Sequence, residues 1–350
     1  MSYSTIDKPT DYFNTVTYTG SAGGQTISGV GNQPDFIWVK QRGDAGYDHS
    51  LHNSVSGVLK QLISNSTAAE ITNNDTVTST NADGFVLGAD TAGPNANSNN
   101  QDGKTYVAWN WKAGGSASNN TDGSITSSVS ASTDAGFSIV KYTGTGSSAT
   151  VGHGLGVAPN VIITKQLTGT TQWNFQSSMM GYSQYMALNT TDASQATGGA
   201  LISSVSNTTY SCDGNSAINA GSGSTYVSYC FAEKTGYSKF GSYTGNGNAD
   251  GTFVNTGFKP AFVMIKNTSS GSTKWTMCDN KRDGFNDNNH RLFADTNDAE
   301  STSNPWEMYS NGFKMTTTGS FVNASGSNYI YMAFAENPLV GSNFVPTTAR

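Results

Sequence analysis

The sequence predicts an all-β protein made of three tandem antiparallel β-sandwich modules of the jelly-roll type. The composition favours strands and turns, with 16 Tyr, 16 Phe and 40 Gly in 350 residues. Strand-like segments recur three times along the chain. Turn sequences such as NADG and NTDG separate these segments, as expected for several short strands in each module.

The first recurring segment is a proline followed by a short apolar run and a lysine. It reads PDFIWVK from Pro34, PNVIITK from Pro159 and PAFVMIK from Pro260. Nearly every position of the run is apolar, which is typical of a strand buried on both faces. A proline fits the entrance of such a strand, because its missing N–H removes no ladder hydrogen bond there. We therefore expect this segment to form a central strand in each module.

The second recurring segment closes each module with a strand of alternating pattern. It reads YVAWNWKAG, YVSYCFAEK and YIYMAFAEN in the three copies. Alternate side chains of a strand lie on opposite faces, so Val107, Trp109 and Trp111 should form a core stripe. A Tyr-Thr-Gly sequence begins each copy, at Tyr18, Tyr142 and Tyr243.

These anchors divide the chain into modules. We expect the first module at residues 1–115, a polar linker at 116–136, the second module at 137–236, and the third module with a C-terminal tail at 237–350. The linker is polar and low in complexity, although Ile125 and Val129 could form a short strand within it. The second and third modules follow each other with hardly a spare residue, which predicts rigid coupling.

The charge balance argues against nucleic-acid binding. The net charge is -6 and only 12% of residues are charged, whereas a nucleic-acid-binding surface needs a basic patch to neutralise phosphates. The N-terminal sequence lacks the pattern of a secretory signal peptide, and no apolar run reaches the length of a membrane span. We therefore expect a soluble protein that is made in a cytoplasm, without membrane insertion.

The residues that most often carry chemistry form no recognisable set. Cys212, Cys230 and Cys278 are odd in number and form no CxxC pair, so we expect buried free thiols. His49 and His52 lie three residues apart, but strand and loop surround them rather than a metal-binding helix. We expect no metal, no cofactor and no enzyme activity.

Three aromatic residues are candidates for glycan binding: Tyr47, Trp173 and Trp275, each a few residues before a glycine. Aromatic side chains on sandwich loops can stack on sugar rings. For the tryptophans, alternation with Phe175 and Met277 fits a core position as well, and both interpretations stay open at this point. A locally basic stretch, formed by Lys281, Arg282, His290 and Arg291, is interpreted as a solvated loop.

The recurring segments, together with the terminal sequence AFAENPLVGSNFVPTTAR, resemble repeats of virion structural proteins from tailed bacteriophages. Such proteins, especially from marine and cyanobacterial phages, are often described as tail-fibre-like. The resemblance covers nearly the whole chain. It implies concanavalin-like or jelly-roll modules, a place in the virion after assembly in the host cytoplasm, and contacts with other virion proteins. The family offers no catalytic residues to carry over.

We therefore expect a non-enzymatic virion protein, a fibre or adhesin-like appendage that contacts host surface glycans or proteins. The alternative is a capsid decoration or connector protein whose partners are only other virion proteins. A polysaccharide depolymerase is the third hypothesis. By analogy with fibres we expect a homotrimer, although the sequence has no heptad repeat to support one.

Overall fold

The structure, a computed structural model, describes residues 4–91, 98–198, 201–221, 223–282, 290–303 and 305–340. Antiparallel sheets dominate it, so the all-β sandwich expectation is confirmed. Its helices are a 3₁₀ turn at Pro9–Asp11 and the four-residue α1 at Ser216–Asn219. In the described part of the chain, neither helix has the length to cross a membrane.

The strands fall into three successive sets, called repeats 1, 2 and 3. Repeat 1 contains β1 Phe13–Thr19, β2 Gln25–Ile27, β3 Phe36–Gln41, β4 Ser50–Asn53, β5 Lys60–Gln61, β6 Ile71–Thr72, β7 Val77–Asn81, β8 Gly84–Leu87 and β9 Thr105–Trp111. Repeat 2 contains β10 Ser118–Asn120, β11 Ser127–Ser132, β12 Phe137–Thr143, β13 Ala149–Gly152, β14 Val161–Gln166, β15 Asn174–Ser177, β16 Gln184–Ala187, β17 Gln195–Ala196, β18 Thr209–Cys212 and β19 Thr225–Phe231. Repeat 3 contains β20 Ser238–Thr244, β21 Phe253–Asn255, β22 Phe258–Asn267, β23 Thr276–Asp279, β24 His290–Phe293, β25 Ser301–Thr302, β26 Trp306–Tyr309, β27 Gly312–Met315 and β28 Asn328–Pro338.

Each repeat has one large sheet and one small sheet, and repeat 1 also has the two-stranded sheet β5-β6. The large sheets share a strand order: β1-β9-β3-β4 in repeat 1, β12-β19-β14-β15 in repeat 2 and β20-β28-β22-β23 in repeat 3. The small sheets are β2-β8-β7, β13-β18 and β21-β27-β26. The same register recurs as well. The tyrosine of each Tyr-Thr-Gly sequence lies opposite the first tyrosine of the closing strand, in the pairs Tyr18–Tyr106, Tyr142–Tyr226 and Tyr243–Tyr329.

The large sheets are buried on both faces, which explains the apolar runs. In β3, Ile37 and Val39 pack against the small sheet of repeat 1, within the core of that repeat. Phe36 and Trp38 face the other way, into a hydrophobic cluster that all three repeats share. At its centre the last residues of the predicted core stripes, Trp111 and its equivalents Phe231 and Phe334, meet with ring centroids 5.6–6.5 Å apart. The repeats therefore surround one common core.

The linker predicted at 116–136 is wrong, because this segment belongs to repeat 2. Its strands extend the large sheet, because β11 pairs with β12 and β10 pairs with β11. Ile125 and Val129, the two large apolar residues of the segment, are buried in the core of repeat 2. The polar composition hid a strand whose pairing partner, rather than its own hydrophobicity, determines its conformation.

The Tyr-Thr-Gly sequences build the same turn three times. In repeat 2, Tyr142 stacks on Tyr226 with ring centroids 5.3 Å apart and donates a hydrogen bond to the Ile218 carbonyl. The Gly144 backbone then passes so close to Ala220 that a Cβ would lie 2.2 Å from its carbonyl oxygen. Each Tyr-Thr-Gly motif therefore ends its strand in a turn that packs closely against a neighbouring loop.

Candidate functional site

The two tryptophans proposed for glycan binding lie in the shared core. Trp173 is 0% exposed and Trp275 is 1% exposed. The indole N–H of Trp173 donates to the carbonyl of Ile63 in repeat 1, at 2.9 Å. The indole N–H of Trp275 donates to the carbonyl of Ala187 in repeat 2, at 3.1 Å. Neither ring is accessible to a sugar, so the glycan-binding assignment of both is wrong and the core interpretation is right.

Tyr47 is not the counterpart of these tryptophans. Trp173 and Trp275 each lie directly before a strand, β15 and β23, and the residue directly before β4 is His49. Tyr47 lies two residues earlier and is half-buried. A glycan contact at Tyr47 stays a prediction. The structure thus separates it from the two tryptophans, with which its similar position before a glycine had grouped it.

His49 makes the contact that the tryptophans make. Its Nδ1 accepts a hydrogen bond from Trp38 Nε1 at 2.8 Å, so the proton of the neutral ring is on Nε2. Nε2 lies 2.8 Å from the carbonyl of Phe293 in repeat 3 and donates to it. Burial holds the pKa of His49 well below its ordinary value, so the ring remains neutral. The three contacts join repeat 1 to 2, repeat 2 to 3, and repeat 3 back to 1.

His52 has its own partners. Its Nε2 is 2.8 Å from Ser50 Oγ, and its Nδ1 is 2.8 Å from the Val58 carbonyl. Among the residues that the structure describes, no group of three or more His, Cys, Asp or Glu side chains could hold a metal ion. The three cysteines are buried free thiols as predicted, and burial raises the pKa of Cys230 to about 12.

The lysine that ends each recurring run is buried at a junction between repeats. Lys165 Nζ donates to the Thr67 carbonyl of repeat 1 at 3.1 Å. Lys266 Nζ donates to the Thr191 carbonyl of repeat 2 at 3.0 Å. At Lys40 the carboxylates of Asp48 in repeat 1 and of Asp298 and Glu300 in repeat 3 oppose the effect of burial on its charge. Burial lowers the pKa of each of these lysines to about 8.

The junction between repeats 3 and 1 carries a buried ion network. Glu300 accepts from Arg42 at 2.9 Å and from Arg282 at 3.0 Å. Arg282 also pairs with Asp279 at 2.7 Å, and Asp279 accepts from Trp109 Nε1 at 2.9 Å. Burial raises the pKa of Glu300, but the two guanidinium groups outweigh it and lower the pKa below its ordinary value. The expectation of a solvated loop is therefore wrong for Arg282, which is 5% exposed.

The junction between repeats 2 and 3 has an open groove of about 370 Å³. Met179, Met180 and Gln184 line it from repeat 2, and Ser242, Thr268 and Asn328 are among the lining residues from repeat 3. Met179 and Met180 are half-buried and also pack against the shared core. A volume of this size falls within the range of roughly 300–1,000 Å³ typical of small-molecule sites. We call this the 2–3 groove.

The 2–3 groove occupies a position that the junction between repeats 3 and 1 fills with charged residues. Ser194 N donates to the Thr268 carbonyl at this junction, as Glu300 N donates to the Arg42 carbonyl between repeats 3 and 1. Thr268 and Ser194 are therefore the counterparts of Arg42 and Glu300. The junction between repeats 1 and 2 makes the same backbone contact from Glu70 N to the Leu167 carbonyl. Small uncharged residues at the 2–3 groove thus stand where the junction between repeats 3 and 1 has an ion pair.

Sequence reasoning missed the junction residues and the 2–3 groove. The recurring lysine was visible as part of the run, but its pattern does not distinguish an exposed strand end from a buried ammonium group. The groove combines residues 242–244, 268 and 328–330, which strand pairing brings together within repeat 3, with residues 179–184 of the neighbouring repeat 2. The signal that could have found it is the alignment of Thr268 with Arg42 at the ends of the recurring runs.

Comparison with known families places the chain in a defined group. A family model described as a domain of unknown function, DUF7483, matches residues 8–338. No curated protein matches the chain significantly. The matched region extends from just before β1 to the end of β28, so it includes all three repeats and every junction described above. The chain belongs to the DUF7483 family of domains of unknown function.

Proposed function

We propose that this protein is a non-enzymatic structural protein of a bacteriophage virion, exposed on the particle as an appendage that contacts the host surface. The observation that carries the proposal is the use of the recurring residues. Lys165, Lys266, Trp173 and Trp275 all serve contacts between repeats. A chain whose distinctive residues lock three repeats around one core is suited to a rigid structural role.

The resemblance of the recurring segments to tail-fibre-like repeats supports the location on a virion. Surface loops differ among the repeats while the core contacts recur, which suits a scaffold that presents variable loops to a partner. A second candidate function is capsid decoration. The pseudo-threefold arrangement of the repeats favours it, because a body with three similar sides can match a local threefold position of a capsid lattice.

Localisation in purified phage particles tests both candidates. We expect cryo-electron microscopy and antibody labelling to place the protein on the tail or a fibre. Density at capsid lattice points would support decoration and contradict the appendage role. Absence from purified particles would refute both.

Two further assays address the expected partners. Purified protein should bind host cells, and incubation with host polysaccharide should release no reducing ends. Release of reducing ends would instead support the depolymerase hypothesis. Light scattering of the purified protein should show the homotrimer expected from the sequence. A monomer would contradict that expectation, and the threefold arrangement would then relate only the repeats within one chain.

A further inference from the structure

We propose that the 2–3 groove binds one neutral saccharide unit, a proposal that rests on the host-contact function above and names its ligand class. The groove differs from the corresponding place at the junction between repeats 3 and 1 by its loss of charge. Thr268 and Ser194 replace the Arg42 and Glu300 of the junction between repeats 3 and 1. Thr268 lines the groove, and its short side chain stands where the other junction has the long, paired side chain of Arg42.

A second replacement also removes charge from the groove. Met180 follows the end of β15 by three residues, and Arg282 follows the end of β23 by three residues. Arg282 contributes a guanidinium group to the ion network, whereas Met180 contributes an uncharged, polarisable thioether. Among the residues described, the lining of the groove contains no Asp, Glu, Lys, Arg or His. Such a lining favours an uncharged ligand over a phosphate or a carboxylate.

The groove also offers unsatisfied hydrogen-bonding groups. In the part of the chain that the structure describes, the side chains of Ser242 and Gln184 are exposed and have no hydrogen-bond partner. The Asn328 side chain accepts from Thr244 at 3.0 Å, which leaves its amide N–H groups available. These hydroxyl and amide groups match the alternating donors and acceptors of a sugar.

Apolar surface lies next to these polar groups. Met179 and Met180 present side chains that are anchored by the shared core. A sugar ring has apolar C–H faces as well as hydroxyl edges, so it can cover the methionines while its hydroxyls reach Ser242, Gln184 and Asn328. The combination fits a neutral hexose or N-acetylhexosamine.

An added peptide strand is a poorer occupant. The groove borders the outer edge of β20, but side chains of this protein already cover both ends of that edge. The N–H of Phe240 donates to Glu233 at 3.4 Å, and the carbonyl of Thr244 accepts from Thr252 at 3.0 Å. Little of the strand edge is left for backbone pairing, which strand addition would need.

Binding of defined neutral oligosaccharides to the purified full chain tests this inference. The probes are gluco-, galacto- and chito-oligosaccharides, with sulfated and uronic-acid oligosaccharides as charged comparisons, measured by calorimetry and by ligand-observed NMR. We expect saturable binding of at least one neutral probe with one site per chain. Absence of binding by every neutral probe, preference for a charged one, or three sites per chain would overturn the inference.

A variant that fills the groove identifies the site. Thr268→Arg combined with Ser194→Glu introduces the ion pair that the junction between repeats 3 and 1 already contains. Both residues are partly exposed, and the substitutions remove the hydrogen bonds from Ser194 Oγ and Thr268 Oγ1, so we expect a folded double variant with a urea midpoint slightly below that of the wild type. We expect its affinity for the saccharide to fall at least tenfold. Unchanged affinity in the folded variant would overturn the assignment to this groove.

A matched pair of single variants provides an independent check, should the double variant fail to fold. Thr244 lines the groove, and Thr19 is its exposed counterpart at the end of β1. Thr244→Arg should weaken saccharide binding at least tenfold, and Thr19→Arg should leave it unchanged. Equal effects of the two variants would contradict the inference.

The outcomes separate this inference from the proposed function. A protein that is found on the virion but binds no neutral saccharide removes the ligand assignment and keeps the structural role. A protein that binds the saccharide at the groove but is absent from particles removes the virion role and keeps the site. Binding of an unstructured peptide at the groove, blocked by Thr244→Arg, would overturn the saccharide assignment in favour of strand addition.

Discussion

Replacement of Lys266 by Met is expected to change how the stability of the chain depends on pH. Burial lowers the pKa of Lys266 from 10.5 to about 8 in the folded protein. Between these values the unfolded chain keeps a proton that the folded chain has released. The free energy of unfolding therefore rises with pH across this window, and the cost of the buried charge is fully present below pH 8.

The structure sets the magnitude of this effect. The difference between 10.5 and about 8 corresponds to on the order of 3 kcal/mol, at about 1.4 kcal/mol for each pH unit. Methionine does not titrate, so the stability of the wild type relative to Lys266→Met should grow by about this amount between pH 7 and pH 10.5. Near neutral pH the substitution also leaves the carbonyls of Thr191 and Thr273 without their donor. Each unpaired carbonyl costs about 1–3 kcal/mol.

Urea unfolding followed by tryptophan fluorescence measures this difference at intervals across the pH range. Ionisation of tyrosines in the unfolded chain affects both proteins equally and cancels in the comparison. The control is Lys8→Met, because the Lys8 side chain is 66% exposed. A difference between wild type and Lys266→Met that stays constant from pH 7 to pH 10.5 would refute the account of a buried ammonium group.

Three further substitutions test single contacts. Trp173→Phe removes the indole donor to the neighbouring repeat and should cost about 1–3 kcal/mol in urea unfolding, whereas an unchanged midpoint would contradict the contact. Glu300→Gln should cost at least about 2 kcal/mol near neutral pH. The pKa of Glu300 is lowered in the folded state, so the difference in unfolding free energy between wild type and Glu300→Gln should shrink as the pH falls below 4.5. A pH-independent difference would argue against the ion network. Gly144→Ala places a Cβ 2.2 Å from the Ala220 oxygen and should lower the thermal midpoint by the equivalent of about 1–3 kcal/mol, while Gly23→Ala, which has open space, should not.

The strands of the shared core could be predicted from sequence because burial on two faces leaves a strong pattern. The run from Phe36 to Val39 is apolar at every position, and its side chains do alternate between two cores. The stripe of Val107, Trp109 and Trp111 likewise lies in the predicted core. In both cases a local pattern determines which way a side chain points.

Contacts between repeats could not be predicted, because residue type alone does not reveal them. Tyr47 resembles Trp173 in type, but the equivalent position belongs to His49, whose ring N–H makes the same hydrogen bond. The segment 116–136 lacks an apolar pattern because β11 lies near the edge of its sheet, where pairing with β12 determines its conformation. The 2–3 groove depends on a missing ion pair, which becomes visible only when the three junctions are compared.

Differential scanning calorimetry of the full chain tests most directly the claim that three repeats form one body around a common core. One cooperative unit of 350 residues should unfold in a single transition, with a van 't Hoff enthalpy equal to the calorimetric enthalpy. At about 0.7 kcal/mol per residue, that enthalpy is on the order of 240 kcal/mol. Independent repeats would instead give a van 't Hoff enthalpy near one third of the calorimetric value, or separate transitions, and either result would contradict the shared core.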